Sequence, residues 1–431
     1  METLLRPIQK VDNNAAIGAA PMLMDELRHR MGSGKFRQDR GTARPWRDVM
    51  ASHFAAVPAV IAGAIIVATI AASPLAARPA SYGAIVTTAS IPGGPDGASA
   101  YRIRYRSSDK DGRPIIVSGA VIVPGGRAPA GGRPVIVWAH GASGVAENCG
   151  LSDKPGLFAQ IAGLRALLAA GYVVTAPDYQ GLGNPGPHPF LVGVASAHSV
   201  LDAVRAARAL PQAHASSRYA LWGESQGAYS VLWAGKLASH YAPELKLVGV
   251  AAAAPPTDIK ANLTGGTNAA VRAFLTAYAA ESWSQVYGVP LTTVVRPATA
   301  TLIGRIARNC VTLDGFALRT KIGMLRLAHQ LRNVDLAGSP AWARLMQQNS
   351  VTPDGLTMPL LIAQGSADAI VAPAVTRRFV DQLCRRRATV RFVPIAGGDH
   401  ISVAKSSANV TTEWLKGRFA GAPAVGDCAR L

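Results

Sequence analysis

Six short apolar runs, at 135–139, 172–176, 219–222, 247–251, 360–363 and 390–394, each end in a polar, glycine-rich or proline-rich loop. Continuous apolar strands of this length suit a parallel sheet buried on both faces. Stretches such as 195–210 and 228–242 have the length and apolar spacing of crossover helices. The pattern therefore predicts an α/β chain with a mostly parallel central sheet and helices on both faces. Upstream, residues 82–125 read as further strands. Tyr101 to Arg106 alternates in character with period two, and 115–123 is a β-rich run closed by Pro124, Gly125 and Gly126. One connection is far longer than a crossover needs. Residues 258–356 separate two strands and contain helix-like segments at 269–287 and 320–333. They are expected to form a helical cap over the carboxyl ends of the strands, where open α/β sheets bind ligands.

Composition narrows the class and the compartment. Half of the residues (49%) are apolar and 16% are charged, which excludes a disordered, collagen-like or coiled-coil chain. The net charge of +19 suits an anionic neighbour such as a membrane surface or a cell wall. A nucleic-acid partner is not expected, because no platform of interleaved aromatics accompanies the charge. Residues 54–77 carry no charged side chain, and Arg37, Arg40, Arg44 and Arg47 precede them. The segment reads as a signal peptide or an N-terminal membrane anchor that sends the downstream chain out of the cytoplasm. Residues 1–53 read as an extension, disordered or reflecting a true start at Met31. The domain expected to fold is 78–431. Four cysteines, Cys149, Cys310, Cys384 and Cys428, suit two disulfides in an exported chain, with three pairings open. None has metal-ligand spacing, so a zinc site is not expected, and the serine chemistry read below needs no metal or organic cofactor.

Gly223-Glu224-Ser225-Gln226-Gly227 matches G-x-S-x-G between a strand and a helix-like run. A sharp turn there exposes the Ser225 hydroxyl, and Gly223 and Gly227 remove the side chains that would clash across it. A serine needs a base. Of the histidines downstream of Ser225, His240 lies within the helix after the turn and His329 within the cap segment. His400, in the loop after the last strand, is the base candidate. Asp368 follows the strand before it and is the acid, with the adjacent Asp399 as its rival. An oxyanion needs two preorganised N–H donors. Those of Gln226 and of Ala142, or else Gly141, in the loop after the 135–139 strand are the candidates. His140, Asp178 and His188 are expected to shape loops.

The runs APDYQGLGNPGPHPFLVGVASAHSVLDAVRAAR, LWGESQGAYSVLWAGKLASHYAPELKLVGVAAAAPPTD, LLIAQGSADAIVAP and GGDH resemble the secretory lipase family of α/β-hydrolases. The likeness covers roughly residues 82–428. It implies an α/β-hydrolase fold with a helical cap insertion and a triad falling on Ser225, Asp368 and His400. It favours the pairings Cys149–Cys310 and Cys384–Cys428. It also implies hydrolysis of acylglycerols or other carboxylic esters through an acyl-enzyme, which allows contact with a lipid interface. Residues 274–286 of the cap are a candidate acyl-binding wall. The competing readings are a peptidase or amidase on the same scaffold and a non-catalytic, surface-anchored binding protein.

Overall fold

The computed structural model describes residues 81–264, 268–311 and 318–431. The extension 1–53 and the apolar segment 54–77 lie outside them. Among the described residues nine strands form one sheet in the order β1-β2-β3-β5-β4-β6-β7-β8-β9. The strands β1 (Ile85–Ser90), β2 (Ala98–Ser108) and β3 (Pro114–Pro124) form an antiparallel meander at one edge. From β4 (Arg133–Ala139) and β5 (Val173–Pro177) onward the pairing is parallel. The remaining strands are β6 (Ala215–Glu224), β7 (Lys246–Ala253), β8 (Leu360–Gly365) and β9 (Val390–Ile395). β6 starts four residues before the apolar run that announced it, because its first residues pair at the half-exposed amino end of the sheet.

Alternation along the strands divides the core into two layers. Val135, Val137, Tyr219 and Leu221 pack with α3 (Gly193–Ala209) and α4 (Gln226–Tyr241). Ile136, Trp138, Ala220 and Trp222 turn to the other face. There they meet α1 (Leu157–Gln160), α2 (Leu164–Ala169) and, from the end of the chain, a second pair of helices. Trp138 and Trp222 meet edge to face at 5.4 Å, the geometry favoured by the ring quadrupoles. Because consecutive side chains of a strand point to opposite faces, one pleated strand supplies both layers.

The chain leaves β4, forms β5 on one side, and returns through α3 to β6 on the other. The order therefore reverses beside β4, and such a switch point leaves a crevice at the carboxyl ends of the strands. Between β7 and β8 come α5 (Ile259–Thr264), α6 (Ala269–Tyr287), α7 (Pro297–Ala307), α8 (Leu318–Gln330) and α9 (Pro340–Asn349). After β8 come α10 (Pro373–Arg385), α11 (Val403–Ser406) and α12 (Ala408–Phe419), the last two being the pair on the second face.

The helical insertion is anchored by buried polar groups. Ser282 on α6 donates to His188 O at 2.7 Å and accepts from Phe190 N–H at 2.8 Å. Trp283 Nε1 donates to Phe190 O, and Asn349 Oδ1 accepts from Gly193 N–H. The disulfides are Cys149–Cys310 and Cys384–Cys428. The first ties the loop after β4 to the segment after α7, and Val311 N–H donates to Ser143 O beside it at 2.8 Å. The second fastens the C-terminal tail to α10. Closing its loop contributes about 4 kcal/mol in the chain-entropy account.

Candidate active site

Ser225 stands between the last residue of β6 and the first of α4, with φ 51° and ψ −118°. A side chain in this region of backbone space is strained. The surroundings impose it: Ser225 N–H is committed to Ala253 O at 2.9 Å, while Ser225 O already accepts from Tyr229 N–H in the helix. A Cβ on Gly227 would lie 1.8 Å from Ala139 O, and one on Gly223 would lie 2.4 Å from the Gly227 carbonyl. Both positions therefore exclude every residue but glycine, and the serine hydroxyl is carried above the sheet.

The fold brings three distant side chains into one line. His400 Nε2 lies 2.8 Å from Ser225 Oγ, and His400 Nδ1 lies 2.8 Å from Asp368 Oδ2. The Asp368 side chain is wholly buried, and that of His400 is 8% exposed. Asp368 Oδ1 accepts from the N–H groups of Ile370 and Val371, and Oδ2 also accepts from Gln364 Nε2. Burial alone would push this carboxyl up. The His400 hydrogen bond and charge, with the two backbone donors, outweigh burial and hold it below the ordinary carboxylate range. Gln364 is itself fixed, accepting from Thr376 Oγ1 at 2.6 Å. The rival Asp399 is turned elsewhere: its Oδ1 accepts from Ser402 N–H in an exposed turn. His240 is exposed at the end of α4, and His329 is exposed on α8 beside Arg332.

The loop after β4 faces the serine. Its Gly141 lies against Glu224 and Ser225, with ordinary contact distances of 3.6 Å to a Cβ built there. Tyr179 OH donates to His140 O, and His140 Nδ1–H donates to Gly141 O, so both groups shape the loop. Asp178 fastens the stretch just beyond. It accepts from the N–H groups of Leu151 and Ser152 and from the hydroxyls of Ser118 and Ser152. His188 holds the residue after the serine: its Nδ1–H donates to Gln180 O, and its Nε2 accepts from Gln226 Nε2 at 3.0 Å. Burial pushes this imidazole down to about 4, which keeps it neutral and able to accept.

Glu224 is the neighbour of the site that motif reading passed over as the variable residue of G-x-S-x-G. The signal available was a charged residue just beyond the apolar run 219–222. Burial pushes its carboxyl up to about 7, against the charges of His400 and Lys405 and a hydrogen bond from Gly141 N–H. Its ordinary value is 4.5, so the folded state favours the protonated acid. That contribution to stability is complete below pH 4.5 and is lost as pH rises through about 7. Glu224→Gln removes this dependence. The Tm of the variant relative to wild type should rise between pH 5 and pH 8, and an unchanged difference would contradict a costly buried charge.

The cap carries an open cavity of about 510 Å³, within the range of small-molecule sites but lined by none of Ser225, Asp368 and His400. It is lined by Leu263, Ala273, Leu325, Val334, Leu336 and Met346 among others. Of the expected acyl wall at 274–286, Thr276 reaches this cavity. The aromatic members do not: Phe274 packs on Tyr278, and Trp283 stacks on Trp342 with its N–H held by Phe190 O. These buried aromatics fasten the cap to the sheet domain. Among the described residues no group of three or more His, Cys, Asp or Glu is arranged to hold a metal ion.

Known proteins resemble this chain in sequence and in fold. A family model described as secretory lipase matches residues 158–427. The chain is 25% identical over 353 residues to a Mycobacterium tuberculosis protein named a probable inactive lipase, covering 76% of this chain and 75% of that one. It is 26% identical over 292 residues to lipase 10 of Candida albicans, covering 61% of this chain and 59% of the lipase. Candida antarctica lipase A in its closed state has a similar fold, with a TM-score of 0.66 and 19% identity over 80% of this chain and 84% of that one.

Proposed function

The chain, matched over residues 158–427, belongs to the secretory lipase family, and from that premise we propose that it is a serine carboxylester hydrolase working through an acyl-enzyme. The observation that carries the reading is the hydrogen-bonded line Ser225–His400–Asp368. In this mechanism Ser225 Oγ attacks the ester carbonyl while His400 Nε2 takes its proton. Asp368 keeps the other ring proton on Nδ1 and stabilises the imidazolium that forms. His400 then returns the proton to the departing alcohol oxygen. Water, deprotonated by the same imidazole, attacks the acyl-enzyme and releases the acid.

The N–H groups of Gln226 and Ala142 hold the oxyanion. Ala142 is taken as the second donor, with Gly141, which lies against Glu224 and Ser225, as the alternative. The N–H of Ser225 is committed to Ala253 O. Gln226 heads α4, whose first amides have no partner within the helix and carry its partial positive charge. The secretory family and two disulfides support an oxidising, extracytoplasmic location. Residues 54–77 would then serve as signal or anchor.

A relative named inactive gives weight to a second, non-catalytic reading. The initial hydrolysis rates of p-nitrophenyl butyrate and p-nitrophenyl palmitate by the full chain, beside an anilide of butyrate, separate the readings. Hydrolysis of either ester with a much slower anilide is expected, and the ratio of the two esters divides esterase from lipase. A folded chain inert on both esters supports the non-catalytic reading, and comparable anilide cleavage supports an amidase.

A further inference from the structure

The helix α8 has two apolar faces where a surface helix needs one. Thr320, Met324 and Leu327 point inward and are buried against the rest of the cap. On its outer side Leu318, Ile322 and Leu325 recur at i, i+4 and i+7, so they form a single stripe. They are 73%, 58% and 63% exposed, and they account for three of the eight large hydrophobic side chains that the described residues leave exposed. Single exposed hydrophobics are ordinary, whereas a contiguous stripe marks a contact surface.

The charges around the stripe identify what it contacts. Arg319, Lys321 and Arg326 flank it on the same helix and are exposed, and none is in an ion pair among the described residues. The helix carries no acidic residue. Arg305 and Arg308 are exposed at the end of the adjoining α7. Across residues 285–334 the sequence has seven basic residues, Arg296, Arg305, Arg308, Arg319, Lys321, Arg326 and Arg332, against the single acid Asp314. An apolar ridge rimmed by cations matches the boundary of an anionic bilayer, where acyl chains receive the ridge and headgroups receive the charges.

We propose that the outer face of α8 docks this protein on an anionic phospholipid surface. The inference deepens the ester-hydrolase reading, and rests on it, by naming the surface on which the substrate is met. Leu325 also borders the cap cavity, so docking would set that cavity beside the lipid.

The test uses the full chain carrying Ser225→Ala, so that no lipid is consumed. A tryptophan is introduced at Ile322 or, as a control on a distant exposed site, at Val425. Brominated vesicles of phosphatidylcholine with phosphatidylglycerol should quench the Ile322→Trp probe and leave the Val425→Trp probe as it is. Arg319→Glu/Lys321→Glu/Arg326→Glu should lower the partition onto these vesicles by at least about tenfold. Leu318→Glu/Ile322→Glu should do the same, with far-UV circular dichroism unchanged in both. Absence of vesicle binding overturns the proposal. So does binding without quenching at position 322, which would assign attachment to another segment such as 54–77. Equal binding to pure phosphatidylcholine refutes the role of charge. A concentration-dependent change in the probe's emission without vesicles would make a second copy the occupant. Hydrolysis of soluble p-nitrophenyl butyrate by the chain with Ser225 intact is read in parallel. Its loss would remove the ester reading and leave the vesicle result standing.

Discussion

Ser225→Ala is expected to lower kcat for p-nitrophenyl butyrate by about a millionfold, with KM changing by no more than about threefold. The loss is large because the other groups act only through the serine oxygen. Without Oγ, His400 has no proton to take from a nucleophile and no covalent intermediate forms. The remaining rate comes from the oxyanion donors and from binding, which orient the ester for attack by water. The fold should survive. The strained backbone at φ 51° is imposed by the committed Ser225 N–H, by the helix that starts at Gln226 and by the two close glycines, not by the hydroxyl. Initial rates and a thermal melt of the same preparation give both answers. A variant that keeps more than about a hundredth of the wild-type kcat would place the nucleophile elsewhere and remove the acyl-enzyme mechanism.

Asp368→Asn should lower kcat by about ten-thousandfold, whereas Asp399→Asn should stay within about threefold of wild type. The asymmetry comes from donors and acceptors. Asp368 Oδ1 receives two backbone N–H groups, so an asparagine would turn its carbonyl oxygen there. Its NH2 would then face His400 Nδ1, which must become the acceptor and move the ring proton to Nε2. That tautomer points a hydrogen at Ser225 Oγ and cannot serve as a base. The Gln364 amide, now opposed by a second donor, adds to the disorder of the site. Because Asp368 is held below the ordinary carboxylate range, its contribution to stability is present above its unfolded value of 3.8 and fades only as pH falls through its lower folded value. The wild-type carboxylate is therefore charged at pH 6 and at pH 8 alike. A defect under about tenfold, or an Asp399→Asn variant as slow as Asp368→Asn, would assign the acid to the wrong residue.

Much of the architecture was written locally. The apolar runs at 135–139 and 360–363 are buried strands because every side chain in them can be buried on one face or the other. The 269–287 segment begins and ends as a helix where an Asn268 side chain caps it and Gly288 adopts φ 68°. The three hydrogen-bonded side chains of the proposed triad were legible for a related reason. Each comes just after a strand, and a parallel sheet gathers its strand ends on one side. Glu224 was overlooked because its sequence position says nothing about the depth of the crevice that covers it.

Other assignments had no local signal. Which cap aromatics line a cavity depends on partners far along the chain: Trp283 meets Trp342, and its N–H meets Phe190 O. The second apolar face of α8 looks in sequence like more core. The structure reveals that nothing among the described residues covers it. His188 was expected to shape its own loop, and it does so through Gln180. Its grip on Gln226, 38 positions away, exists only once β5 and β6 stand on either side of β4.

By itself the sequence determined the order and type of the elements, the strand-to-helix turn at Ser225, and the side chains available at the strand ends. These depend on periodicity and backbone sterics, which act over a few residues. Only the tertiary structure decided which backbone N–H groups are already taken, which carboxyl is buried, and which apolar faces lack a partner among the described residues. Those are settled by desolvation and hydrogen-bond competition between segments remote in the chain, and no short stretch of sequence contains both sides of that contest.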